Sequence, residues 1–138
     1  MNRDALDRLV EIGELKIEPP SKKEFDGLVL SGRRRLKDAQ NDSLSWESRF
    51  DLAYNSAHAF ALAALRWHRY RSESRYLVFQ CLKHTLDLSN KEWRVLDHAH
   101  KKRNQVEYEG KVDIDAALVE ALLRVILVVE ERVVSLSR

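Results

Sequence analysis

The chain has 138 residues, 44% of them hydrophobic and 33% charged, with a formal net charge of +2. That length makes one average domain with its own core, and the composition is too apolar for a disordered chain. The near-neutral balance excludes bulk charge as a basis for nucleic-acid binding, so any such reading has to rest on local clusters.

The first predicted helix runs from about Arg3 to Ile12, and Gly13 follows as a C-terminal stop. Leu15 to Pro20 reads as extended linker, because Pro19-Pro20 cannot continue a helix. The second helix starts at Ser21, which stands in capping-box spacing with Glu24. Phe25, Leu28, Val29, Leu36 and Ala39 form its apolar stripe, and Arg33-Arg34-Arg35 reads as a solvated face. A third, central helix is expected from about Ser45 to Arg69. Its seam is Phe50, Tyr54, Ala57, Ala61, Ala64 and His68, with alanines that let a neighbouring helix approach closely.

The fourth helix covers roughly Glu73 to Thr85. The fifth opens on a second capping box, Ser89 and Glu92, and carries Trp93, Leu96, His100 and Arg103 on one side. The last runs from about Asp113, its expected N-cap, to Leu136. Ile126, Leu127, Val128 and Val134 widen its stripe beyond one core face, which fits either deeper burial or a dimer interface. The expected fold is all-α, an up-and-down bundle of five to six helices forming one domain over residues 1–138, with 1–20 as a short helix and linker.

Cys81 is the only cysteine, which rules out an internal disulfide and a cysteine-rich zinc site and fits a reducing, cytoplasmic setting. Cys81 reads as a small buried apolar group. The start of the chain does not read as a signal peptide, and the longest strictly apolar runs, such as Val125–Val129, are too short to span a bilayer. Nothing in the sequence points to a cofactor, a metal ligand set or a Gly-rich phosphate loop.

Two basic constellations remain. Arg66-Trp67-His68-Arg69-Tyr70-Arg71, continuing to Arg75-Tyr76, interleaves cations with aromatics. It suits a nucleic-acid backbone and stacked bases, and equally a helix C-terminus whose aromatics pack inward. The other is His100, Arg103, Asn104 and Tyr108. Arg103 either presents its fork to a phosphate or pairs with Glu107 one turn on. His100 shares a face with Arg103. It is either an acid/base group or a helix histidine bonded to a tyrosine or a carbonyl. His98, on another face, is a weaker candidate.

The order of these features resembles the HEPN superfamily (higher eukaryotes and prokaryotes nucleotide-binding) over nearly the whole chain. The resemblance rests on the Pro-bearing linker, the run Phe50-Asp51-Leu52-Ala53-Tyr54-Asn55-Ser56-Ala57-His58-Ala59, the basic turn at Trp67–Arg71 and, above all, Arg103-Asn104-Gln105-Val106-Glu107-Tyr108. HEPN nucleases carry an Arg, a polar residue and, a few residues on, a His. Here Tyr108 stands in the place of that His, closer to a branch whose motif reads Arg-x-x-Ala-Asp-Tyr.

The resemblance implies a module that binds RNA, a nucleotide or a protein partner, in a toxin–antitoxin or nucleotidyltransferase-linked setting, as a homodimer and without nuclease activity. Arg103 and Asn104 would hold a phosphate, with Arg66, Arg69, Arg71 and Arg75 as further contacts. The alternatives are a metal-independent endoribonuclease using Arg103 with His100 or Tyr108, and a purely structural dimer or antitoxin-like partner held through residues 114–136.

Overall fold

The computed structural model describes residues 1–138. Its elements are α1 (Arg3–Glu11), β1 (Lys16–Ile17), α2 (Lys22–Ala39), α3 (Trp46–Trp67), β2 (Tyr70–Arg71), α4 (Arg75–Gln80), α5 (Leu82–Thr85), α6 (Asn90–Glu109) and α7 (Ala116–Leu136). Only Cys81 separates α4 from α5, so the molecule is an all-α bundle of six helical units. No helix is long and apolar enough to cross a membrane.

α3 is the centre. It packs most extensively on α2 and next on α7. Phe50, Tyr54, Ala57, Ala61 and Ala64 of its seam are buried. Its closest neighbour comes in at Gly32 of α2, where an added Cβ would lie 2.7 Å from the Phe60 ring. At the same crossing Ser56 Oγ donates to the Gly32 carbonyl at 2.7 Å. On α7, Leu118, Leu122, Val125, Val129 and Val133 are buried, as is Ile126 from the wider stripe, whereas Leu127 is 46% exposed. Burial explains part of that width and leaves Leu127 outside.

Helix ends follow local chemistry. Ser89 and Glu92 form the complete capping box of α6. At α2 only half of the expected box forms: Ser21 Oγ accepts from Glu24 N, while the Glu24 carboxylate turns away to Arg66 and Arg71. The start of α7 also needs correcting. Asp115, not Asp113, is the N-cap, accepting from Ala117 N at 2.9 Å.

The linker contains an element that the pattern does not announce. Lys16 and Ile17 pair antiparallel with Arg71 and Tyr70.

Candidate anion-binding site

Arg103 and Asn104 lie within α6, about two turns before its end. His100, Arg103 and Asn104 share the face turned towards α3, as steps of three and four require. Tyr54 of α3 is buried, and its hydroxyl lies 2.9 Å from His100 Nδ1. The other imidazole nitrogen, Nε2, is 3.3 Å from Asn104 Nδ2. Asn104 Nδ2 can only donate, so Nε2 accepts, and the ring proton sits on Nδ1 and is donated to the Tyr54 hydroxyl oxygen. Both ring nitrogens of His100 are therefore engaged by protein groups. The Phe79 and Tyr76 rings pack at 6.4 and 5.1 Å from the His100 ring and fix its plane.

Two guanidinium groups converge on Tyr54 from different helices. Arg103 Cζ stands 5.6 Å from the ring centroid and Arg75 Cζ, from α4, stands 5.7 Å away. Arg75 Nη1 donates to Asn55 Oδ1 at 3.0 Å, and Asn55 Nδ2 donates to the Asp51 carbonyl at 2.9 Å, which braces the arginine. Neither arginine forms an ion pair, and the Arg103–Glu107 bridge allowed by spacing is not made. Arg75, Arg103 and Asn104 are half-buried, so solvent reaches all three. Tyr108 is 77% exposed, one turn beyond Asn104.

The local field is positive, and the neighbouring groups register it. Burial, with Arg75 and Arg103 adding to it, pushes the His58 imidazole down to about 4. Burial and then Arg103 also hold His100 below its ordinary value. Burial raises the Tyr54 phenol despite the pull of both arginines. At neutral pH the site thus holds two free cations flanked by two uncharged imidazoles. Such a site favours an anion, because guanidinium forks donate in pairs to phosphate oxygens and no carboxylate competes for them. No group of three His, Cys, Asp or Glu side chains is placed to hold a metal ion.

The second basic constellation comes apart. Arg66 is only 2% exposed and donates to the Glu24 carboxylate and to the carbonyls of Glu18, Pro19 and Tyr70. Arg71 Nε donates to Glu18 Oε2 at 2.6 Å, and Arg71 also pairs with Glu24. The Arg66 guanidinium, with Arg71 beside it, holds the Glu24 carboxyl below the usual range. Arg66 and Arg71 are paired with carboxylates of the protein and clamp the linker to the end of α3. Arg69 is exposed and lies apart from Arg103, beside the first turn of α2. Of this group only Arg75 and Tyr76 join the α6 cluster. His98 is exposed on the opposite side of α6, near Arg94 and Asp115.

Asn55 and His58 enter the site without having been singled out. The signal for them was weak: polar residues that each follow a seam residue, Tyr54 and Ala57, by one position. No protein-family model matches the chain, and no curated protein matches it.

Proposed function

We propose that this chain is a HEPN-like helical module that binds the phosphate groups of RNA or a nucleotide through Arg103 and Arg75 and does not cleave them. The observation that carries the reading is the pair of unpaired, half-buried guanidinium groups flanking Tyr54. Asn104 adds a neutral donor beside them. Tyr108, projecting from the next turn of α6, offers an exposed ring on which a base can stack.

The absence of cleavage follows from His100. Metal-free RNA cleavage needs a base for the 2′-hydroxyl and an acid for the leaving 5′-oxygen. Both His100 nitrogens are occupied by Tyr54 and Asn104. Burial, and after it Arg103 and Arg75, disfavour the imidazolium that an acid role requires. In this reading His100 positions Tyr54 and Asn104 and transfers no proton. The setting implied by the resemblance, a cytoplasmic homodimer working with an antitoxin or a nucleotidyltransferase, belongs to the same proposal. The exposed Leu127 of α7 is a candidate contact for such a partner.

The test is incubation of the purified chain with labelled mixed-sequence RNA in EDTA, following anisotropy and RNA integrity together. Binding without cleavage is expected, with Arg103→Ala and Arg75→Ala each weakening it by about tenfold, the worth of a charge-assisted hydrogen bond. Cleavage abolished by Arg103→Ala would overturn the proposal in favour of an endoribonuclease using Arg103 with His100 or Tyr108. No binding at all would overturn both.

A further inference from the structure

A cavity of about 550 Å³ lies where the start of α2 meets the end of α3, lined by Pro20, Lys22, Phe25, Trp67 and Arg69 among others. Trp67 and Tyr54 are thirteen positions apart on α3, so the cavity is about 20 Å along the bundle from the Arg103 cluster. Its volume is that of a small-molecule site.

The lining has a consistent chemistry. Trp67 packs on Phe25 with ring centroids 5.0 Å apart, yet remains 39% exposed, so an indole surface is left open at the cavity. Pro20 supplies a second flat apolar surface. Asp26, the one carboxylate of the lining, is bound by Lys22 Nζ at 2.7 Å. Arg69 has no carboxylate partner.

Arg69 is also in the left-handed region, with φ 75°. It follows the C-cap His68, a position where glycine is the usual residue because a Cβ is disfavoured there. The fold needs the turn, since the Arg69 carbonyl accepts from Glu18 N at 3.0 Å. It does not need the guanidinium, which makes no bond within the protein. A long cation held at a strained position beside an open indole is the arrangement expected of a ligand contact.

We infer that this cavity is a second binding site, for a planar aromatic ring carrying an anionic group, with the ring on Trp67 and the anion at Arg69. A nucleotide and an aryl carboxylate share that chemistry. The inference is independent of the Arg75–Arg103 reading.

Calorimetric titration of the full chain with AMP, benzoate and inorganic phosphate tests it, using an Arg75→Ala/Arg103→Ala background to remove the other site. AMP, benzoate or both are expected to bind in that background at least tenfold more tightly than inorganic phosphate. The tighter of the two identifies the anion as phosphate or carboxylate. Trp67→Ala and Arg69→Gly are each expected to weaken binding tenfold or more. Arg69→Gly should do so while keeping or raising Tm, because glycine suits that backbone. Loss of all binding in the double-alanine background, or binding indifferent to Trp67→Ala and Arg69→Gly, overturns the inference.

Discussion

Gly32 is required because the Phe60 ring occupies the space that a side chain would take. Gly32→Ala is expected to cost about 1–3 kcal/mol, as overpacking a close helix crossing does, read as a lower midpoint in urea. His58 makes a second prediction. Its folded pKa, about 4, lies below the ordinary 6.5, so the folded state disfavours its protonation. The stability it contributes is fully present above pH 6.5 and is lost as pH falls towards 4. Urea unfolding at pH 7 and pH 5 should differ by about 2 kcal/mol from His58 alone. His58→Gln should remove that share. A wild-type stability flat across this window would contradict the burial and charge assigned to the site. At this scale the sequence marked Arg103, Asn104 and His100 by their common helix face. It could not show that His100 is bonded at both nitrogens, because one partner, Tyr54, comes from a helix more than forty residues away.

At the scale of elements, periodicity and caps were enough to place six helical units, because apolar stripes and Ser-x-x-Glu spacings act within a turn or two. The departures all come from longer-range forces or from local degeneracy. Glu24 left its capping box because two cations, Arg66 of α3 and Arg71 of β2, outweigh one backbone donor. Asp113 and Asp115 are equivalent by pattern, and only the backbone decides between them. The β1–β2 pair is two residues long with distant partners, and so has no periodicity to read. Arg66 and Arg71 looked like part of a basic surface because their carboxylates lie in the linker and at the start of α2. Glu24→Gln is therefore expected to destabilise the fold by about 2 kcal/mol, by weakening the pairing of a buried charge. Ser89→Ala should cost about 1 kcal/mol as an ordinary lost cap. Equal effects of the two would show that the Arg66 clamp contributes little beyond capping.

For the whole molecule, the low net charge of +2 leaves the proposed phosphate binding to a few specific contacts. RNA affinity should thus fall only gently with salt, with a log–log slope near −1 to −2 for two guanidinium contacts on a single strand. A steep slope would place binding on a broad basic surface such as Arg33–Arg35, which is exposed. The position of the anion is open to direct measurement through the two histidines that face Arg75 and Arg103. An NMR titration of the His58 and His100 imidazoles, with and without a short oligoribonucleotide, reports it. An anion seated between the guanidinium groups offsets their field, so both pKa values should rise on binding while that of the remote His84 stays fixed. Binding that leaves His58 and His100 unmoved would contradict the site.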